Sequence, residues 1–138
     1  IEGNVVIGAN CWIGPHAVIH SHTTLGDACK IFSGAVVGAV PQDLKFADEA
    51  STVEIGDRTV IRECVTINRG TEDRTVTKVG SDCLLMAYCH LAHDVLIGDH
   101  VILPTRVTSP GTLPSKIGPS LRAWWECSNL SPSANTPL

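Results

Sequence analysis

The chain opens Ile1-Glu2-Gly3-Asn4-Val5-Val6-Ile7-Gly8-Ala9-Asn10-Cys11-Trp12-Ile13-Gly14-Pro15-His16-Ala17-Val18-Ile19, with a large aliphatic at every sixth position. The step continues through Leu25, Ile31 and Val37. Four residues after each aliphatic comes a small or β-branched residue: Val5, Cys11, Ala17, Thr23, Cys29 and Ala35. Glycine often follows the aliphatic directly, as at Gly8, Gly14, Gly26 and Gly38. A period of six is not a multiple of the helical 3.6, and β-branched residues dominate, so a helix does not fit. A hexapeptide repeat means a parallel β-helix. Each hexapeptide supplies one short strand and one corner. The aliphatic points into the coil, the small residue fills the space beside it, and glycine is expected to ease tight backbone near the corner. Burying each such isoleucine is worth roughly 1.5–3 kcal/mol. One coil cannot bury its own face, so stability must come from stacking.

Working outward, the step breaks at Val40. Residues 41–52 read Pro-Gln-Asp-Leu-Lys-Phe-Ala-Asp-Glu-Ala-Ser-Thr, and Asp43 and Glu49 occupy the sixth-position slots. A carboxylate inside the coil would be costly, so this stretch leaves the scaffold as a loop. Long loops on rigid scaffolds often carry function. The step resumes at Ile55, Ile61 and Ile67, leaves again from Asn68 with Asp73 in the slot, and returns at Val79, Leu85, Leu91, Ile97 and Leu103. Cys83, Cys89, Val95, Val101 and Val107 stand beside this last run. The next slot is Ser109, and the step ends there. The expected organisation is one β-helix domain over residues 1–108, with loops at 40–52 and 68–77, and a non-repeat tail over 109–138. The tail holds Pro110, Pro114, Pro119, Pro132, Pro137 and Trp124-Trp125, and reads as disordered.

Composition narrows the function. The chain has 138 residues, enough for one domain, and only 4% aromatics, so the core must be built from Ile, Val, Leu, Ala and Cys. A net charge of -4 and the lack of a basic run argue against nucleic acid. No stretch approaches the ~20 apolar residues of a membrane span, so membrane insertion is not expected. No signal-peptide pattern opens the sequence, and Ile1 stands in mid-pattern, as the start of a longer protein's interior would. Six cysteines lack a Cys-x-x-Cys pair. Cys11, Cys29, Cys83 and Cys89 share the small-residue position and read as core fillers in a reducing compartment.

Chemistry points to His90-Leu91-Ala92-His93-Asp94. Leu91 serves the repeat, whereas His90, His93 and Asp94 do not. An imidazole beside a carboxylate suits general base work; the alternative is a polar corner pair on the coil surface. His16, His20 and His22 form the nearest candidate for zinc held between coils, set against surface-facing positions, which is the reading preferred for them and for His100.

With its loops included, the sequence resembles the UDP-N-acetylglucosamine O-acyltransferases of lipid A biosynthesis, a hexapeptide-repeat acyltransferase family. The matching runs are Gln42-Asp43-Leu44-Lys45, Val53-Glu54-Ile55-Gly56-Asp57-Arg58, Ile61-Arg62-Glu63, Arg69-Gly70-Thr71, Thr77-Lys78-Val79-Gly80-Ser81-Asp82 and His90-Leu91-Ala92-His93-Asp94. With the repeat, they span residues 1 to about 108.

The resemblance implies an all-β fold, a left-handed parallel β-helix of triangular section with about three hexapeptides per coil. It implies a homotrimer with sites between subunits, and transfer of a 3-hydroxyacyl chain from acyl carrier protein to the 3-hydroxyl of UDP-N-acetylglucosamine, with no cofactor and no metal. His93 matches the general base and Asp94 the carboxylate that orients it. Gln42 and Asp43 match the substrate loop, Lys45 favours the anionic UDP portion, and His90 matches a further substrate contact. Asp43 and Lys45 are expected beside the neighbouring subunit's His93. The compartment implied is the cytoplasm for a bacterial member and the mitochondrion for a plant one.

The sequence also departs from the family. Asn68 stands where bacterial members commonly have histidine. The family's Leu-Ala-Gly-His-like run reads Ser109-Pro110-Gly111-Thr112 here. Gly111 keeps the thioester-side contact by count, while Pro110 removes a donor and Thr112 replaces the histidine. Two other readings stand beside the acyltransferase. One is a non-catalytic β-helix subunit assembling with full-length partners. The other is a zinc-dependent lyase of the hexapeptide type.

Overall fold

The computed structural model describes residues 1–106, 108 and 109. Its strands follow the step of six, three to a coil. The first coil holds β1 (Val6–Ile7), β2 (Trp12–Ile13) and β3 (Val18–Ile19). The second holds β4 (Thr23–Leu25), β5 (Lys30–Ile31) and β6 (Val36–Ala39). The third holds β7 (Thr52–Ile55), β8 (Val60–Ile61) and β9 (Thr66–Asn68). The fourth holds β10 (Val76–Val79), β11 (Leu84–Leu85) and β12 (His90–Leu91), and the fifth holds β13 (Leu96–Ile97), β14 (Ile102–Leu103) and β15 (Thr108–Ser109). Every third strand pairs in parallel, giving three flat walls: β1-β4-β7-β10-β13, β2-β5-β8-β11-β14 and β3-β6-β9-β12-β15. The fold is a left-handed parallel β-helix of triangular section.

Register explains how the loops leave without disturbing the stack. Ile7 pairs with Leu25 and Val79 with Ile97, eighteen residues apart, the length of an uninterrupted coil. Leu25 pairs with Ile55, thirty apart, and Ile55 with Val79, twenty-four apart. The first insertion therefore adds twelve residues and the second six. Both are whole hexapeptides, so the aliphatics stay on the inner face; a slip of one residue would turn each strand inside out. Both insertions leave the same corner, between the third wall and the first, after β6 and β9. His93 and Asp94 follow β12 at that corner, one coil further along.

The slots named from the repeat form the core. Ile19, Ile31, Val37, Ile61, Ile67, Leu85, Leu91 and Leu103 are completely buried. Ile7 and Ile13, in the first coil, are only partly covered. The small-residue cysteines fill space and also bridge coils: the thiols of Cys11, Cys29 and Cys83 each donate to a glycine carbonyl of the next coil at 3.1 Å. Thr59 takes the same role at 2.7 Å from Gly80 O. Burial pushes the Cys29 and Cys83 thiols up, as expected of inert fillers.

The corners differ from the sequence expectation. The left-handed backbone lies three residues after the aliphatic, at Asn4, Asn10, His16, His22, Ala28, Arg58, Cys64, Asp82, Tyr88, Asp94, His100 and Arg106, with φ of 54–65°. Of the glycines after the aliphatics, Gly38 does take a positive φ of 88°, whereas Gly8, Gly26, Gly56 and Gly80 serve close stacking instead. A Cβ at Gly8 would lie 2.6 Å from the Gly26 carbonyl, and one at Gly80 would lie 2.6 Å from that of Gly98.

His16 and His22 are corner residues, and His20 Nδ1 lies 3.0 Å from Glu2 Oε1. Among the described residues no group of three His, Cys, Asp or Glu side chains converges as metal ligands would. Nor is any helix there long and apolar enough to cross a membrane.

Candidate functional site

Because the insertions and the His93-Asp94 corner are stacked, three coils contribute to one place. Asp94 takes the left-handed corner at φ 62°, as the other corner residues do, but here the second insertion folds over it and it is completely buried. Its Oδ2 accepts a hydrogen bond from His93 Nδ1 at 2.9 Å and another from the Thr71 hydroxyl. Its Oδ1 accepts from the Thr71 amide at 2.8 Å, and its own N–H donates to Thr77 Oγ1 at 2.9 Å. Burial pushes the Asp94 carboxyl up, but the hydrogen bonds from Thr71 and His93 outweigh that and hold it below its ordinary value. An ionised Asp94 can only accept, so His93 Nδ1 is the donor. In neutral His93, Nε2 is then the acceptor, facing away from Asp94.

Nε2 faces the first insertion. Asp43 Oδ2 lies 3.9 Å from it, beyond hydrogen-bond reach. Asp43 is held by its own turn: Oδ1 accepts from the Lys45 amide at 2.9 Å, and its carbonyl accepts from the Phe46 amide at 3.0 Å. The insertion is fastened at a second point. The Arg69 guanidinium lies 5.3 Å over the Phe46 ring and pairs with Asp48 at 3.2 Å. Between insertion and wall lies an open groove of about 500 Å³, walled by Gln42, Asp43 and Lys45 on one side and by Asn68, His90 and His93 on the other.

The remaining groove groups are polar and poised. His90 Nδ1 lies 2.7 Å from Thr66 Oγ1, and burial pushes its imidazole down, favouring the neutral form. Asn68 is buried, and its Nδ2 has no hydrogen-bond partner in the structure. Gln42, Asp43, Lys45, His90, His93 and Asp94, all named from sequence, are thus brought together. Gly111 lies outside the described residues. Within the chain Asp43 lies beside His93, because the first insertion folds back onto the corner it leaves. Asn68, Thr71 and Thr77 were not named as site residues from sequence. Their signals were membership of the family-matching runs for Thr71 and Thr77, and for Asn68 its place where the family commonly has histidine.

Comparison with known proteins agrees with this architecture. The bacterial transferase hexapeptide (six repeats) family matches residues 4–39 and 77–108. In these residues the chain carries the repeat of the hexapeptide-repeat transferases. Within them it resembles the acyl-[acyl-carrier-protein]–UDP-N-acetylglucosamine O-acyltransferases of Gloeothece citriformis, 50% identical over 68% of this chain and 34% of the relative, and of Rippkaea orientalis, 52% identical over 67% of this chain and 33% of the relative. The crystal structure of the UDP-N-acetylglucosamine acyltransferase from Bacteroides fragilis superposes with a TM-score of 0.66 at 40% identity, covering 79% of this chain and 50% of that one. The chain spans about a third of the length of these curated relatives.

Proposed function

We propose that this chain is the catalytic β-helix portion of an acyltransferase moving a 3-hydroxyacyl chain from acyl carrier protein to the 3-hydroxyl of UDP-N-acetylglucosamine, the first step of lipid A biosynthesis. The observation that carries the proposal is the His93–Asp94 pair, with His93 Nε2 open to the groove beneath the first insertion. The curated relatives' names supply the two substrates.

In this reading the sugar 3-hydroxyl donates its hydrogen bond to His93 Nε2 at about 2.8 Å, and Asp43 Oδ2, 3.9 Å from that nitrogen, accepts from a neighbouring donor of the sugar. Neutral His93 takes the hydroxyl proton as the oxygen attacks the thioester carbonyl carbon. The carbon–sulfur bond breaks, the ester remains on the sugar, and the proton passes from His93 to the departing thiolate. Asp94 stabilises the imidazolium in between. Lys45 faces the anionic pyrophosphate, while Gln42 and His90 contact the sugar portion. Gly111 is assigned to the thioester side through the resemblance alone. Residues 1–108 form the domain that carries this site, and a homotrimer completes it.

His93→Ala tests the assignment. Acyl transfer to UDP-N-acetylglucosamine should fall by about 10²–10⁴-fold, with the circular dichroism spectrum unchanged. A variant as fast as the parent would remove His93 as the base.

A further inference from the structure

Asp94 is a buried carboxylate whose nearest support comes from a residue twenty-three positions away. Thr71, at 5% exposure, offers it both amide and hydroxyl, one to each carboxylate oxygen. Thr77, completely buried at the other end of the second insertion, accepts the Asp94 amide at 2.9 Å. The insertion and the strand β10 that follows it thus clasp the catalytic corner from two sides. The charged and titratable groups nearby face elsewhere. Asp43 lies across Nε2 of His93, Lys45 and His90 line the groove, and Glu49, Glu72 and Asp73 surround the outer side of Thr71. A buried carboxylate stays ionised only where donors replace water. Thr71 supplies two of the three donors to its oxygens.

We infer that Thr71 is a positioning residue of the His93–Asp94 pair: its amide and hydroxyl hold Asp94 ionised and fixed, which keeps the His93 ring with Nδ1–H toward Asp94 and Nε2 toward the groove. This rests on His93 being the base. It gives the second insertion a role in the chemistry that a passive surface loop would not have. The loss of the Thr71 hydroxyl should lower kcat about tenfold or more while leaving KM unchanged, since a hydrogen bond to a charged group is worth that much.

The deciding readout is spectroscopic and independent of turnover. In the 138-residue chain, carbon-13 shifts follow the Asp94 carboxyl titration and nitrogen-15 shifts report which ring nitrogen of His93 carries the proton. Thr71→Val should raise the Asp94 midpoint and shift neutral His93 from the Nδ1–H toward the Nε2–H tautomer. Thr71→Ser should restore both. A Thr71→Val protein with the parent's midpoint and tautomer overturns the inference. Should that variant fail to fold, the parent decides: the Thr71 amide proton shift must follow the Asp94 titration, and one that does not overturns the inference too. Loss of these signatures while transfer still depends on His93 removes Thr71 alone. Transfer that ignores His93 removes the acyltransferase reading and leaves the signatures standing.

Discussion

Asp94 occupies a position where two demands meet. The coil requires a left-handed residue there, and aspartate tolerates that conformation better than most. The second insertion folds over the same corner and buries the carboxylate, where it meets Thr71 and His93. His90, three residues before His93, is its counterpart in charge logic. Burial lowers its pKa in the folded chain, whereas the unfolded chain takes up a proton at the ordinary ~6.5. The unfolded state then binds more protons as pH falls through that value, so His90 makes folding less stable on acidification. Asp94 works in a separate window. Its lowered pKa stabilises the fold above the ordinary value of 3.8, and that contribution is lost as pH falls through the folded pKa. Urea unfolding of His90→Gln should therefore show a smaller loss of stability between pH 7 and pH 5 than the parent. Equal losses in the two proteins would mean that His90 titrates in the fold as it does in water.

At the scale of strand and corner, the step of six located the walls, the core and both departures from the scaffold. The insertions preserve phase, so the slots resume at Ile55 and Val79 as though nothing had intervened. The corners were not legible. Ala28, Cys64 and Tyr88 have no preference for left-handed backbone, which costs an ordinary residue about 1–2 kcal/mol; they adopt it because the stacked coils above and below leave no other path. The glycines were read as relief for tight backbone, which holds for Gly38 at φ 88°, yet Gly8, Gly26, Gly56 and Gly80 lie where one coil's backbone presses on the next. Gly80→Ala should accordingly destabilise the fold by about 1–3 kcal/mol through overpacking against Gly98. Gly3→Ala, with nothing within 4 Å of its added methyl, should leave stability nearly unchanged. Chemical denaturation of both variants checks the contrast, and equal effects would return the glycine pattern to a matter of local conformation.

For the whole molecule, the stack is what turns separated sequence motifs into one site. Asp43, Asn68, Thr71, His90, His93 and Asp94 span more than fifty positions, but they share one corner of three consecutive coils. Family resemblance named four of the six. It could not place Thr71 against Asp94, because that contact depends on the path of an insertion outside the repeat. The loop that carries Asp43 returns to the corner it leaves, which sets Asp43 across from His93 of the same chain. The central claim is that this groove receives the sugar nucleotide with its hydroxyl at His93. Titrating UDP-N-acetylglucosamine into the isotopically labelled chain tests it most directly. The account predicts that the ring signals of His93 and His90 and the amide of Ala92 move together, and that Asp43→Ala weakens binding about tenfold or more, as loss of a charged hydrogen bond would. Shifts confined to the opposite wall around Trp12 and Phe32, or affinity untouched by Asp43→Ala, would contradict it.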